Sequence, residues 1–518
     1  MSDSIDEAPH ATTRATTREW LGLAVLMFPV LLIAMDVTVL HFALPWLSAE
    51  LHPSGTQLLW IVDIYTFCLA GFLLVMGTLG DRIGRRRLLL IGAVAFGGAS
   101  VLAAYSTSAE MLIAARALLG VAGATLMPST LALIRTMFGD PAQRRMAIAL
   151  WTGGFVVGSA IGPLVGGGLL EYFWWGSVFL INVPVMVLLL LTAPVLLPEY
   201  RDPAQGRLDL PSALLALATI LLIIYGIKEL ARDGLVLGPG LAVLLGALIG
   251  IRFVLRQLRL ADPLVEVRLF RSPAVSVSLF ALLLGMFALP GIMLFASQYL
   301  QLVREMSPFV AGLWTLPMVG LSAVGAITGA ILSQRIRPGF VVASFLIVAA
   351  VGLGVIMWIT PDMHLGLVVL GLGLVGAGMG GIAALATDLV VTSAPPQRAG
   401  AASSMSESAS ELGGALGVAI LGAVGMAVYQ RDLTETAPTE LPAAALDAAR
   451  ETLPGAVSVA TEVPGELAVP LLDAAFSAFT DGIQLAAAIA CALLVVGAGL
   501  TARLLRHIPA GTSPPTTD

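Results

Sequence analysis

Long apolar runs, each of about 20 residues and separated by short charged clusters, follow one another along this chain of 518 residues. An α-helix rises about 1.5 Å per residue, so such a run matches the roughly 30 Å hydrocarbon layer of a membrane. Lipid offers no partner to backbone amides, and the runs are therefore expected to be spanning α-helices. Only 12% of the residues are charged and 58% are hydrophobic. The sequence therefore predicts an all-α integral membrane protein.

The even number of runs places both termini on one side of the membrane. Of the 27 basic residues, 21 fall in one set of connections, and Arg116 lies inside a span. The other set holds Lys228, Arg232, Arg304, Arg431 and Arg450. The positive-inside rule then places the termini in the cytoplasm. The predicted spans are 20–46, 57–79, 88–106, 110–134, 147–169, 177–198, 210–230, 238–255, 273–297, 309–333, 339–360, 365–392, 400–429 and 477–503.

Composition argues against metal, redox and ATPase chemistry. Cys68 and Cys491 both lie in apolar runs, which favours neither a disulfide nor a metal pair, and the five histidines are scattered. The chain has a single lysine, Lys228, and Glu229 follows it, so a Walker A motif is excluded. No cofactor is expected, and an energy source other than ATP hydrolysis by this chain would have to drive any pumping.

A weak internal repeat indicates how the spans are grouped. Gly77–Arg85, after the second span, is echoed by Gly329–Arg337, after the tenth. Two related bundles with two helices inserted between them would explain this spacing. We predict a cytoplasmic tail (1–19), an N-terminal six-helix bundle (20–200), two inserted spans (201–271), a C-terminal six-helix bundle (272–505) and a second cytoplasmic tail (506–518). The C-terminal bundle includes a long outer loop, 430–476, with a helix expected from Ala443 to Leu453.

Gly77–Arg87, with the sequence GTLGDRIGRRR, resembles the loop motif of the major facilitator superfamily. The resemblance implies that glycines let two spans approach, while the acid and the arginines latch the two bundles on the cytoplasmic side. A plain stop-transfer cluster would explain the arginines but neither the acid nor the glycine spacing. The implied latch residues are Gly77, Gly80, Asp81, Arg82, Gly84 and Arg85.

The fifth span carries a second motif, which is similar to the signature of the antiporter branch of that superfamily. A helix rich in Gly and Pro can kink and pack tightly, which suits a hinge between bundles, although ordinary small-residue packing is the alternative. Arg116 in the fourth span resembles the buried arginine that the family associates with proton coupling, although Leu119 stands where glutamine is usual. The hinge residues are Gly158, Gly162, Pro163, Gly166 and Gly167.

Three further stretches, Asp36–Pro45, Trp60–Tyr65 and Asp388–Ala402, together resemble the fourteen-span drug:proton antiporters of the Qac/Smv/Lfr type. The resemblance implies the major facilitator fold and proton-driven export of lipophilic cations from the bacterial inner membrane. It names quaternary ammonium compounds, cationic dyes such as ethidium, and fluoroquinolones as substrates, with protons as coupling ion and no nucleic acid or obligate protein partner. Two departures stand out: His41 replaces the usual asparagine, and the tenth span lacks an acid found in some relatives.

Four acids stand in apolar spans, where an ionised carboxylate costs about 2.5 kcal/mol or more unless it faces water or a partner. They are Asp36, Asp63, Glu407 and Glu411. The last two are four residues apart on one helix face, so they resist simultaneous ionisation and one is expected to hold a proton. We predict that the four acids and Arg116 bind cations and protons, the alternative being that one acid pairs with Arg116 and the others lie near helix ends. Candidate cavity aromatics are Trp60, Tyr65, Phe295 and Tyr299.

Two other functions remain open at this stage. The first is an exporter of a native metabolite, such as a lipid, siderophore or peptide, with incidental drug efflux. The second is a membrane receptor or embedded enzyme, which would require a catalytic constellation such as a Ser/His pair or an HExxH zinc motif. No such motif is evident in the sequence, and the prediction is therefore a transporter and not an enzyme.

Overall fold

The computed structural model of the protein describes residues 15–201, 209–233, 236–260, 263–393 and 399–507. Most of the two predicted tails, 1–14 and 508–518, lies outside the described residues. So do residues 394–398 of the stretch Asp388–Ala402 and residues 202–208 of the connection before the inserted spans.

The described residues form seventeen α-helices, joined by a 3-10 turn at Val267–Arg271 and a π turn at Tyr299–Val303. Fourteen segments among them are long and apolar enough to cross a membrane, with α6 and α7 together forming one. This number confirms the predicted all-α membrane fold. The helices are α1 (Thr17–Leu51), α2 (Gly55–Ile83), α3 (Arg85–Ala104), α4 (Ala109–Met137), α5 (Pro141–Tyr172), α6 (Ser177–Leu180), α7 (Asn182–Leu196), α8 (Leu210–Asp233), α9 (Leu237–Arg259), α10 (Pro273–Gln298), α11 (Pro308–Ser333), α12 (Pro338–Ile356), α13 (Leu365–Thr392), α14 (Ala399–Thr436), α15 (Ala443–Glu451), α16 (Leu453–Glu462) and α17 (Gly465–Leu504).

Capping residues explain why several helices begin before their apolar runs. Thr16 and Glu19 form a capping box at α1, and Ser54 with Gln57 does the same at α2. At α4 the side chain of Ser108 accepts a hydrogen bond from the Met111 amide. Polar side chains therefore fix the ends, whereas hydropathy marks only the part of each helix that lies in lipid.

The outer loop contains more helix than the sequence predicts. α14 continues to Thr436 and α17 begins at Gly465, so the connection is shorter than the predicted 430–476. The helix expected from Ala443 to Leu453 is present as α15, which ends at Glu451, and a second helix, α16, follows from Leu453. Thr452 lies in extended conformation between them and caps α16 through its hydroxyl, which breaks the helix in two.

The helices pack as two similar halves. α1 packs against α5 and α2 against α4 in the first half, and α10 packs against α14 and α11 against α13 in the second. Each half also ties the loop after its second helix to the end of its last helix: Arg86 Nη1 donates to the Leu197 carbonyl and Arg337 Nη1 to the Arg506 carbonyl, both at 2.9 Å. The two contacts are similar, although the residue that matches Arg337 in the sequence repeat is Arg85, the neighbour of Arg86.

The two bundles meet through α5 with α11 and through α2 with α14. Close backbone contacts lie at the outer ends of these pairs. A Cβ on Gly167 would stand 2.6 Å from Phe309 Cα, and a Cβ on Gly312 would stand 2.7 Å from the Pro163 carbonyl oxygen. The α2 amide of Gly55 donates to the Glu451 carboxylate of the outer loop at 3.0 Å. These contacts hold the two bundles together at the helix ends that the predicted topology places on the outer side.

The inserted helices α8 and α9 pack on each other, and α8 also packs against α2 and α14. At the cytoplasmic end the Asp209 carboxylate joins them through Arg256 Nη2 at 2.8 Å. Partial burial acts to raise the pKa of Asp209, but bonds from Ser212 and Arg256 outweigh it and hold that pKa below its ordinary value. α8 therefore lies at a seam between the two bundles and is fixed to its partner by charge.

Candidate functional site

Asp36 of α1 and Arg116 of α4 form a buried ion pair, with 5% and 1% of each residue exposed. The Arg116 Nε donates to the Ile61 carbonyl oxygen at 3.2 Å, and its guanidinium lies 4.5 Å from the centroid of the Tyr65 ring. A guanidinium held by a carboxylate, a carbonyl and an aromatic face is fully engaged. The alternative left open by the sequence, that one acid pairs with Arg116, thus applies to Asp36.

A close approach of α4 to α2 places Arg116 there. Gly120, one turn after Arg116, lies so near α2 that a Cβ would overlap the Tyr65 carbonyl oxygen. With no side chain at this position, the two helices come into backbone contact. The Arg116 side chain then reaches both Ile61 and Tyr65 on α2.

Glu407 and Glu411 lie on the opposite bundle, in α14. Both residues are half-buried, in contrast to the buried Asp36 and Asp63. Glu411 lies within electrostatic range of Glu407 and of Tyr65 on α2 of the other bundle. The Tyr65 hydroxyl is buried and has no hydrogen-bond partner within the described part of the chain. Acids of one bundle and an unpaired phenol of the other thus border the same region.

Asp63 of α2 pairs with Lys228 of α8, with 2.8 Å between Oδ2 and Nζ. The assignment of Lys228 to an outer connection is therefore wrong. It lies inside a helix and is 2% exposed, because the Asp63 carboxylate and the Trp60 ring, 4.0 Å from Nζ, replace water around its ammonium. Sequence reasoning missed this residue, and the signal available was a lone lysine at the end of an apolar run.

The four predicted aromatics fall into two groups. Trp60 and Tyr65 contact the buried cations Lys228 and Arg116. The other two lie in helix packing of the C-terminal bundle. The Phe295 ring stacks edge-on against Phe479, and the Tyr299 hydroxyl donates to the Thr360 carbonyl at 2.8 Å.

The charge balance of the membrane interior changes with Lys228. Four acids against Arg116 alone would leave minus three if all ionise, and with Lys228 the balance is minus two. The net charge stays negative and still favours cations over anions. The two buried cations each neutralise an acid of the N-terminal bundle, so Glu407 and Glu411 carry the excess.

The predicted latch segment lies at the cytoplasmic end of α2. Arg85 pairs with Asp81 at 2.5 Å, and Gly84 takes a φ of 110°, a conformation that favours glycine. A Cβ on Gly84 would also overlap the carboxylate of Glu199, which accepts the Arg86 amide at 3.1 Å. These contacts lie within the N-terminal bundle, so a latch between bundles stays a prediction. The remaining predicted residues, Gly77, Gly80 and Arg82, lie on the last turns of α2.

The predicted hinge residues of α5 lie on two faces. Gly158, Gly162 and Gly166 pack against α1, where a Cβ on Gly158 would stand 2.6 Å from the Leu31 carbonyl oxygen. Pro163 and Gly167 instead touch α11 of the other bundle. The motif therefore joins α5 closely to its own bundle on one face and meets the opposite bundle on the other.

A buried histidine accompanies these groups. His41 on α1 is 4% exposed, and its Nδ1 has no hydrogen-bond partner among the residues described. It lies within electrostatic range of Arg116. His41, which stands where the family usually has asparagine, is thus buried near the Asp36–Arg116 pair.

Comparisons with known proteins agree with this architecture. The family model of the Major Facilitator Superfamily matches residues 26–418. The multidrug efflux pump LfrA of Mycolicibacterium smegmatis is 43% identical over 98% of this chain and 100% of its own length. The methyl viologen resistance protein SmvA of Salmonella typhimurium is 35% identical over 89% of this chain and 93% of its own.

Among solved structures, a bacterial homologue of the human lysosomal transporter Spinster, in an inward-facing and unoccupied conformation, matches with a TM-score of 0.68. It is 17% identical and covers 97% of this chain and 100% of its own, so the likeness is one of fold. Fourteen spans, in two similar bundles with an inserted pair, the family match and the full-length likeness to efflux pumps lead to one assignment. The chain is a multi-pass membrane transporter, not an enzyme, and it belongs to the major facilitator superfamily.

Proposed function

We propose that this transporter exports lipophilic organic cations from the bacterial cytoplasm in exchange for protons. The observation that carries the proposal is the excess of membrane-embedded carboxylates between the bundles, above all Glu407 and Glu411 on α14. A half-buried acid pair in a low-dielectric region binds either a proton or a cation, because both neutralise the same charge. The full-length likeness to a multidrug efflux pump and to a methyl viologen resistance protein supports drug export.

The proposed cycle follows from competition at these acids. A cation entering from the cytoplasm or the inner leaflet displaces protons from Glu407 or Asp36, and the bundles then rock to open the outer side. Protons from outside expel the cation and reset the carboxylates. Moving one charge through 100 mV is worth about 2.3 kcal/mol, so exchange of one proton for one monocation draws on the pH gradient alone.

Ethidium efflux from bacterial cells that express the chain tests this function. Export that stops on addition of a protonophore supports it, and export that persists contradicts proton coupling. In everted vesicles, Glu407→Gln and Asp36→Asn are expected to abolish ethidium-driven proton release. Glu435→Gln, at an exposed position in the last turn of α14, is the matched control and is expected to leave release unchanged. Unchanged release in both site variants would contradict the assignment.

A substrate screen distinguishes cation export from export of a native metabolite. The negative balance of the interior predicts that quaternary ammonium compounds and cationic dyes compete with ethidium, whereas anionic and neutral compounds of equal hydrophobicity do not. Competition by the anionic set at similar concentrations would favour a metabolite exporter with incidental drug efflux.

A further inference from the structure

Trp60, Asp63 and Lys228 form a compact group in which every contact of the ammonium is defined. Trp60 and Asp63 are three residues apart on α2, so both side chains lie on the same helix face. The Lys228 Nζ stands 2.8 Å from the Asp63 Oδ2 and 4.0 Å from the centroid of the Trp60 ring. A carboxylate beside an aromatic face is the chemistry that recognises an organic ammonium. The Lys228 side chain thus occupies a site built for a cation.

Few other interactions hold Lys228 in that site. Apart from their 2.8 Å ion pair, the described part of the chain offers the ammonium and the Asp63 oxygens no other side-chain hydrogen-bond partner. Trp60 also packs against an apolar cluster that includes Phe67 and Ile224. A buried ion pair recovers little net free energy once desolvation is counted. A lipophilic cation that brings the same charge and its own apolar surface can therefore replace the ammonium.

The choice of lysine over arginine points the same way. The chain contains 27 basic residues, of which Lys228 is the only lysine, so arginine serves at the other 26. A guanidinium would grip the carboxylate through two parallel hydrogen bonds, whereas an ammonium is a point charge on a flexible four-carbon stem. Lysine is the basic residue that can leave a carboxylate without breaking a bidentate contact.

The position of α8 connects this site to both bundles. α8 packs against α2 of the N-terminal bundle and α14 of the C-terminal bundle. Lys228 also lines a narrow groove at the outer ends of these helices, together with Gly55, Met426 and Gln430. Gln430 in this groove offers a polar neighbour to the Lys228 ammonium on the outer side of its present position. The inserted helix α8, which has no counterpart in the two-bundle repeat, thus contributes a charge to the membrane-embedded interior of the protein.

We propose that Lys228 is a tethered competitor: its ammonium fills the Trp60–Asp63 subsite, and a monocationic substrate binds there by displacing it. The inference rests on the proposed export of organic cations and deepens it, because it assigns a subsite and a specificity residue to the inserted pair. The subsite accepts one positive charge at a time, since the Asp63 carboxylate balances one.

Ethidium binding to the purified full-length protein in lipid nanodiscs, followed by fluorescence anisotropy, tests the proposal. Lys228→Met removes the charge and keeps the length of the side chain, and it is expected to tighten ethidium binding about tenfold. Lys228→Arg keeps a resident cation and is expected to give no tightening. Adding Asp63→Asn to Lys228→Met removes the carboxylate and is expected to cancel the gain. Unchanged or weaker binding by folded Lys228→Met overturns the proposal.

The wild-type chain supplies a second test that does not depend on a variant folding. Lys228 is the only lysine, so a membrane-permeant amine-acylating reagent reports on one side chain, read by mass spectrometry of its peptide. Saturating ethidium is expected to raise acylation of Lys228 several-fold, because displacement frees the ammonium. Unchanged or reduced acylation at saturation overturns the proposal.

The two tests separate this inference from the function it rests on. If the wild type exports ethidium in a protonophore-sensitive way while Lys228→Met binds no more tightly, only the inference fails. If neither the wild type nor Lys228→Met binds ethidium, the inference and the proposed function both fail for this class of cation.

Discussion

The Asp36–Arg116 pair allows a quantitative prediction about what holds the N-terminal half of the site together. Asp36→Asn leaves a buried guanidinium that stays charged at any accessible pH, and removing one partner of a buried pair costs about 3–5 kcal/mol. Arg116→Met leaves the carboxylate without its cation, but this group can take up a proton and so loses less than a stranded guanidinium. The variant also removes the hydrogen bond to the Ile61 carbonyl and the contact with Tyr65, so we expect a total loss of about the same size.

The double variant is the informative one, because Asn and Met are both neutral and no charge is left uncompensated. We expect its loss of stability to fall short of the sum of the single losses by about 2–3 kcal/mol. The assay is unfolding in mixed micelles by SDS titration, followed by tryptophan fluorescence. Single losses that add to the double loss within about 0.5 kcal/mol would refute the pairing.

A matched surface pair provides the control for this cycle. Arg431 and Glu435 form an ion pair four residues apart on α14, but their side chains are 76% and 64% exposed. Water already solvates both charges, so Arg431→Met, Glu435→Gln and their double variant are expected to unfold at the wild-type midpoint. A cycle that gives the same coupling at this pair would point to a general effect of charge and not to burial.

Three further predictions follow from the packing. Gly158→Val places a side chain where α1 and α5 touch and is expected to lower the free energy of unfolding by about 1–3 kcal/mol in the same titration. Gly168→Ala, with open space around its Cβ, is expected to leave it unchanged. Equal losses of stability would contradict the close approach of α1 and α5. Cysteines that replace Leu59 and Gly422, in a background without the two native cysteines, are expected to crosslink α2 to α14 and to block efflux until a reductant is added. Efflux that persists after complete crosslinking would show that the outer ends of α2 and α14 need not separate. Because the pKa of Asp209 is lowered, its carboxylate stabilises the inserted pair of helices above about pH 4 and loses this effect as the pH falls through the folded-state pKa. Asp209→Asn is therefore expected to reduce the loss of stability at acidic pH. An unchanged loss would mean that other groups cause it.

The spans and the acids could be read from the sequence because both are local properties. Hydropathy over about 20 residues identifies a spanning helix without knowledge of its neighbours, and an acid inside such a run is conspicuous whatever it contacts. The same reasoning left open which acid meets Arg116. The partner is Asp36 because α1 and α4 bring the two side chains together, which is a property of packing and not of any one segment.

The Lys228–Asp63 pair could not be predicted for a related reason. A lysine near the end of an apolar run reads as a residue that extends to the membrane surface, because a flexible stem normally lets its charge reach water. Only the packing of α8 on α2 shows that a carboxylate and an indole lie within reach instead. The break between α15 and α16 lies where Thr452 caps α16 through its hydroxyl and Pro454, in the first turn of α16, prevents the preceding helix from continuing.

The contact of α5 with α11 has a mechanical consequence. Backbone meets backbone where Gly167 touches Phe309 and Gly312 touches Pro163, so no side-chain rotamer there can absorb a change in separation. The contact between α5 and α11 therefore allows the two helices to rotate against each other but not to slide or separate. It acts as a pivot near one end of α5, and the rest of α5 is the arm that turns about it. From Gly167 to the first turn of α5 that arm measures about 38 Å, so a turn of about 10° moves its far end by about 7 Å.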